Sequence, residues 1–301
     1  MLFNKVLVFG VGLIGGSFAR SLKLAGAAGS IVGMDRSPAF LARALELGLI
    51  DRAGGDLAEA MAGADLVLLA APVAQTEKIL VSLLPFLEAG TIVTDAGSTK
   101  GDVVASARRA LGARVSQFVP GHPVAGRESN GPDAAMADLY RGKKAVLTPL
   151  AENSEADIAR VASAWSACGA VIHRLAPEEH DKVFAAVSHL PHLLAYALVD
   201  DIANKPHANL LFQYAASGFR DFTRIAASSP EMWRDISLAN QAALLSELDA
   251  YLSQLTGLRS ALAAADGAAL EAVYGNARRA RRQWIAAIEA AEAPPGASGA
   301  E

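Results

Sequence analysis

Val6-Leu7-Val8-Phe9-Gly10-Val11-Gly12-Leu13-Ile14-Gly15-Gly16-Ser17-Phe18-Ala19-Arg20-Ser21-Leu22 decides the fold. The apolar run Val6–Phe9 is what a strand covered on both faces of a parallel sheet looks like. A Gly-x-Gly-x-x-Gly turn follows at once, and an amphipathic stretch to Leu22 follows the turn. Each glycine has a physical job in such a turn. Gly10 permits the sharp bend, Gly12 lets the backbone approach a pyrophosphate, and Gly15 lets helix and strand pack closely. The free N–H groups at the helix start, around Leu13 and Ile14, favour the phosphate charge. A second strand, Ser30–Met34, ends at Asp35, where an acid meets the adenosine ribose hydroxyls. Asp35 therefore predicts NAD, and its neighbour Arg36, a guanidinium able to stack on adenine or offset a phosphate, leaves NADP possible.

The chain has 301 residues, 52% apolar and 19% charged, which fits one large or two ordinary globular domains. A net charge of −4 gives no general attraction to nucleic acid or anionic membrane. The single cysteine, Cys168, excludes an internal disulfide framework and is expected in the core. No secretory leader is visible and no apolar stretch is expected to reach the length of a membrane span. The expected address is the cytoplasm.

Outward from the opening unit, strand and helix alternate. Ser37 and Pro38 read as the N-cap and first residue of a helix to about Gly48. Ala64–Ala70 and Thr91–Thr94 are strands, separated by a helix over Gln75–Leu87. A helix from about Lys100 to Leu111 leads through 114–119 to a loop from Pro120 to Gly131. Lys144–Thr148 and Ala170–His173 are further strands around a helix containing Trp165. This alternation predicts an α/β, doubly wound, Rossmann-like nucleotide-binding domain over residues 1–174. From Pro177 onward helical periodicity dominates, so 175–292 is expected to be all-helical, with alanine-rich faces suited to a homodimer. Residues 293–301, rich in proline, glycine and alanine, are expected to form a disordered tail. Arg278, Arg279, Arg281 and Arg282 are read as a solvated helix face, not a nucleic-acid site.

In open α/β sheets, ligands bind beyond the carboxyl ends of the strands. Ala71-Pro72-Val73, Gly97-Ser98-Thr99-Lys100 and Gly121-His122-Pro123 fall there. The first is expected on the cofactor. His122 is placed in a loop, beside the dinucleotide, as a candidate for proton transfer. In the helical part, His189 and His192 lie three residues apart and are expected on one helical face. Pro191 between them should free the Val187 carbonyl and kink the helix. A third metal ligand at suitable spacing is not evident, so no metal is expected. Arg220 and Arg224 follow at i and i+4. Arg220 is expected to pair with a local acid, and Arg224 is the one expected to clamp a carboxylate.

GVGLIGGS, DAGSTKG, GHPVAGRESNG, HDKVFAAVSHLPHLLAYAL, GFRDFTRIA and MWRDI, in this order, resemble the prephenate/arogenate (cyclohexadienyl) dehydrogenase family of tyrosine biosynthesis. The resemblance spans nearly the whole chain. It implies oxidative decarboxylation of prephenate, or of arogenate, with NAD reduction, in a homodimer, and makes tyrosine a candidate product-like inhibitor. It implies that His122 is the catalytic histidine, with Ser98 its hydrogen-bonding neighbour near nicotinamide and substrate. It also implies that His189 and His192 line the substrate side-chain pocket and that Arg224 binds a substrate carboxylate.

Overall fold

The computed structural model describes residues 1–127 and 129–292. The expected tail, 293–301, lies outside the described residues. The chain forms two compact units, residues 1–245 and the segment from Ser246 onward. The first begins with β1 (Phe3–Phe9), α1 (Leu13–Leu24), β2 (Ala28–Met34), α2 (Pro38–Glu46), β3 (Arg52–Ala53), α3 (Leu57–Met61) and β4 (Leu66–Leu69). It continues through α4 (Thr76–Leu83), β5 (Ile92–Asp95), α5 (Gly101–Leu111) and β6 (Phe118–Val119). The six strands form one parallel sheet in the order β3-β2-β1-β4-β5-β6, the doubly wound order whose direction reverses between β1 and β4.

The two-residue period of the strands accounts for the layers. Val6 and Val8 of β1 with Leu66 and Leu68 of β4 pack under Phe18 and Leu22 of α1 and Trp165. Leu7, Val67 and Leu69 point the other way, onto Leu80 and Leu83 of α4 and Val103 and Ala107 of α5. Both faces are covered, so the sequence of β1 and β4 is apolar without alternation. Cys168 is buried in the first of these layers, as expected. The Ser37 hydroxyl accepts from Phe40 N–H at 3.3 Å, with Pro38 in the first turn of α2.

A second, three-stranded sheet holds β7 (Gly121–Pro123), β8 (Lys144–Leu147) and, after α6 (Glu155–Ala167), β9 (Val171–Arg174). β7 runs antiparallel to β8, which runs parallel to β9. Two expectations change here. Residues 112–117 form a 3-10 turn rather than extended chain. The expected loop from Pro120 begins as a strand, with His122 paired to Val146, because the chain passes at Pro120 from one sheet into the next.

The helices that follow are α7 (Pro177–Phe184), α8 (Leu190–Ala203), α9 (Ala208–Gln213), α10 (Ser217–Thr223), α11 (Pro230–Ala239), α12 (Gln241–Ala263) and α13 (Gly267–Glu292). A π turn, Ala185–His189, joins α7 to α8, with Leu190 N–H bonded to the Ala185 carbonyl. Pro191 sits two residues past His189, where the π turn has already interrupted the regular ladder and a missing N–H costs less than in an unbroken α-helix. The continuous helix this makes, Pro177–Ala203, corrects another expectation. It is long and apolar enough to cross a membrane by length and composition, with mean hydropathy 1.3. Polar bonds from His180 and His189 tie it into the first unit. In the second unit, Arg278, Arg279, Arg281 and Arg282 are exposed on α13.

Candidate active site

The glycine turn at the end of β1 separates what the chain needs from what a ligand needs. Gly10 has φ +87°, and a side chain there would strike the Ala70 carbonyl oxygen at 2.4 Å. A Cβ on Gly15 would lie 1.9 Å from the Gly10 oxygen and 2.8 Å from Val8 Cγ1. Gly12 is different. Its φ is −75°, and a Cβ there would meet nothing nearer than Gly131 at 3.9 Å. Packing leaves a side chain at Gly12 possible, so the bare backbone keeps open a space that fits a pyrophosphate. The N-terminus of α1 beside it carries no side-chain cap and no acid in its first turn, so its positive end is not spent on the protein. That turn is anchored from outside. Tyr140 donates its hydroxyl to the Ile14 carbonyl at 2.6 Å, and Met136 N–H donates to Ser17 Oγ at 2.9 Å.

Asp35 stands at the end of β2 with both oxygens oriented. One accepts from Val11 N–H at 3.0 Å and the other from Ser37 N–H at 2.9 Å. Each oxygen keeps a lone pair for a ribose hydroxyl. Arg36 is exposed and lies 3.8 Å from Glu231 of α11. Ala71 is half-buried and Pro72 exposed past β4, whereas the Val73 side chain is buried in the core.

Past β5, Asp95 organises the next loop. Its Oδ1 accepts from Gly121 N–H at 3.0 Å, tying β5 to the start of β7. Its Oδ2 accepts from Gly97 N–H at 2.8 Å and from the fully buried Lys100 ammonium at 2.5 Å. Ser98 lies half-buried on the bend between these partners.

His122 is 8% exposed on β7, its ring edge-on to Phe184 at 4.7 Å. Its Nδ1 lies 2.9 Å from Nε2 of His180 on α7. The other nitrogen of His180 is 2.8 Å from Asp181 Oδ1. Asp181 also accepts from Lys100 N–H at 2.8 Å and Gly101 N–H at 2.7 Å, so it caps α5 from another element. Burial pulls the Asp181 carboxyl up, but these bonds outweigh it and leave it lowered and ionised. Burial lowers His180 against the pull of Asp181. His122 is lowered well below the ordinary histidine value, chiefly by burial, then by His180 and the Lys100 ammonium.

These states fix the protons. A neutral His180 must donate Nδ1–H to the carboxylate, so its Nε2 accepts from His122 Nδ1–H. The remaining nitrogen of His122, Nε2, then carries a lone pair. That is a general base with a set tautomer.

His189 and His192 both meet Trp233 of α11, but differently. His192 stacks on the indole with centroids 3.6 Å apart, and its Nδ1–H donates to the Ser188 carbonyl at 2.8 Å. His189 is 1% exposed in the π turn, 6.1 Å from the indole, with Nδ1 3.1 Å from Asn240 Nδ2. Burial lowers both, His189 to about 4. His189 is therefore not a base poised near neutrality. Arg224 opens a 3-10 turn after α10, close enough for its charge to disfavour protonated His192. Arg224 already has an interaction in this structure, while Arg220 makes no ion pair among the described residues. The local acid expected beside Arg220 is thus not found in an ion pair with it among the described residues.

Sequence reasoning passed over His180, Asp181 and Asn240, and gave Lys100 no role of its own within its cluster. His180 and Phe184 are an i, i+4 pair on the face that meets His122, with ring centroids 4.4 Å apart. That spacing was a usable signal. Asn240, a lone polar residue between two helices, gave none.

A doubly wound sheet with an open glycine turn, beside a second sheet whose strand β7 brings His122 against a helical segment, defines the class of two-domain nicotinamide-dependent dehydrogenases. The chain belongs to the prephenate dehydrogenase family: residues 18–174 match its nucleotide-binding domain and residues 176–275 its dimerization domain. It is 37% identical over 281 residues to the cyclohexadienyl dehydrogenase of Zymomonas mobilis, covering 93% of this chain and 95% of that one. It is 36% identical to the Bacillus subtilis prephenate dehydrogenase, covering 85% and 70%. A crystal structure of Aquifex aeolicus prephenate dehydrogenase with hydroxyphenyl propionate and NAD+ superimposes with TM-score 0.86 at 38% identity, covering 94% and 98%.

Proposed function

We propose that the chain oxidises prephenate with NAD, releasing carbon dioxide and 4-hydroxyphenylpyruvate, as a homodimer in the cytoplasm where both small molecules are found. Residues 1–174 carry the cofactor and 175–292 the substrate pocket and the dimer contact. The observation that carries the reading is the neutral His122, held by His180 with a lone pair on Nε2 beyond the sheet's carboxyl edge.

Prephenate bears a ring hydroxyl at C4, a carboxylate at C1 and a pyruvyl side chain. When bound, the nicotinamide accepts the hydride that leaves C4. His122 takes the hydroxyl proton at Nε2 as the carbonyl forms, and loss of the C1 carboxylate makes the ring aromatic. Ser98 hydrogen-bonds the reacting hydroxyl. Arg224 meets a substrate carboxylate, and His189 and His192 face the side chain. Gly10, Gly12, Leu13, Ile14 and Gly15 hold the pyrophosphate, Asp35 the ribose. Orientation and charge matching are the protein's share.

The test is steady-state turnover with prephenate or arogenate, each with NAD or NADP. The expected result is the highest kcat/KM with prephenate and NAD, because a fixed Asp35 carboxylate repels a 2′-phosphate. Absence of turnover with either substrate overturns the reading. Preference for arogenate would support the second reading, favoured by likeness to a relative named for cyclohexadienyl substrates in general. Tyrosine, shaped like the product, is proposed as a competitive ligand of the same pocket.

A further inference from the structure

Asn240 stands at the junction of α11 and α12 and is 5% exposed. Its amide nitrogen donates twice. One N–H goes to the Asp181 backbone carbonyl at 2.7 Å, and the other points to His189 Nδ1 at 3.1 Å. The first partner can only accept, so the amide orientation is settled by it. His189 Nδ1 must then accept, and the ring proton must sit on Nε2. That Nε2 is buried and makes no hydrogen bond of ordinary geometry among the described residues, the backbone of Ser98 being the acceptor nearest to meeting it. The Nε1–H of Trp233, whose ring packs against both pocket histidines, is also buried without a partner.

We propose that Asn240 is a positioning residue, which locks His189 with its proton on Nε2 and so makes it a fixed donor to an acceptor oxygen of the substrate side chain. This rests on the reading above that His189 lines the substrate pocket. The groups around the ring agree with a neutral donor. Burial disfavours a charged ring most, His180 of α7 and His192 of α8 add to it, and Asp181 and the Ser98 backbone favour charge without prevailing. The same amide bonds the backbone of Asp181, whose carboxylate holds His180. Donor and base are thus referenced to one point of the helical segment.

The experiment has two arms on the full-length chain. The first is long-range 1H–15N NMR of the histidine-labelled protein at pH 7, with the His189 signal assigned through His189→Gln. The expected pattern is a neutral ring protonated at Nε2, and an Nδ1–H or charged ring overturns the proposal. This arm needs no turnover, so it fails or holds independently of the assigned reaction. The second arm is a double-mutant cycle on the KM for prephenate. Asn240→Leu is expected to raise KM about tenfold, with kcat moving less and NAD affinity unchanged. His189→Gln keeps an amide N–H where Nε2–H was, so in that background Asn240→Leu is expected to change KM less than threefold. Equal losses in both backgrounds overturn the proposal, since a purely structural role is indifferent to the residue at 189. Should Asn240→Leu fail to fold, the NMR arm on the unmodified chain decides.

Discussion

His122 Nδ1 and His180 Nε2 lie 2.9 Å apart, and His180 Nδ1 in turn lies 2.8 Å from Asp181. A second histidine is thus interposed between the proposed base and its carboxylate. The negative charge is kept one ring further from the substrate. His122 is also flanked by the buried Lys100 ammonium, which disfavours a protonated ring.

His122→Asn is expected to lower kcat by about 10²–10⁴-fold, with a much smaller effect on KM, because the base acts in the transition state. The base works unprotonated and its pKa is lowered, so kcat/KM should be flat near neutrality. It should fall only as pH drops well below 6.5, the ordinary value for a histidine. Turnover against pH for both proteins checks this. A limb centred between 6 and 7, expected of an unperturbed histidine, would contradict the burial of His122.

His180→Leu should cost kcat on the order of 10²-fold through loss of orientation, with Tm little changed. Asp181→Asn should lower both, because that carboxylate also caps α5. Thermal melts beside kinetics separate the two. Equal loss of Tm in both variants would make His180 merely structural.

Arg224→Ala should act mainly on the KM for prephenate, since a carboxylate is present in ground and transition states alike. A charge-assisted bond of about 1.5–3 kcal/mol corresponds to roughly ten- to a hundredfold. NAD affinity should not move, and Arg220→Ala is the control. A larger loss in the control would reassign the carboxylate.

Gly12→Ala should fold normally yet bind NAD weakly, whereas Gly15→Ala should lose stability because its Cβ would overlap the Gly10 oxygen. Tm and NAD titration of the two variants test the distinction. Normal NAD affinity in Gly12→Ala would place the pyrophosphate elsewhere.

Folding stability should decline between pH 6.5 and about 4. His189 titrates near 6.5 unfolded and at about 4 folded, so across this interval the unfolded chain binds the extra proton. Stability therefore rises with pH through that window and is complete above it. The shift is worth on the order of 3 kcal/mol for this one ring. Denaturant unfolding at pH 7 and pH 4.5 measures it, with His189→Gln expected to flatten the difference.

The sheet was legible because its strands obey one simple constraint. Val6–Phe9 and Leu66–Leu69 are covered on both faces and so are uniformly apolar. The glycine turn was legible because each glycine answers to a local clash or a local opening. His122 was found but misplaced in a loop, since the pairing of His122 with Val146 joins residues 24 apart in sequence and only the fold brings them together. The histidine chain was hidden for the same reason: His180 meets His122 across 58 residues. The local partner expected for Arg220 was not legible, since i, i+4 spacing fixes which residues share a helix face and not which side chains pair.

The π turn at Ala185–His189 carries one residue more than regular α geometry between the two halves of the pocket helix. The wide turn absorbs that residue, because the five residues of the π turn sweep nearly the same angle as four in α geometry. Deleting one there would restore the ordinary helical ladder with little change of face on either side, so His180 would keep its register with His122 and His192 its stack on Trp233. His189 lies inside the turn and alone would shift, moving relative to Asn240. Chain length at this point can thus retune one histidine while those on either side keep their places.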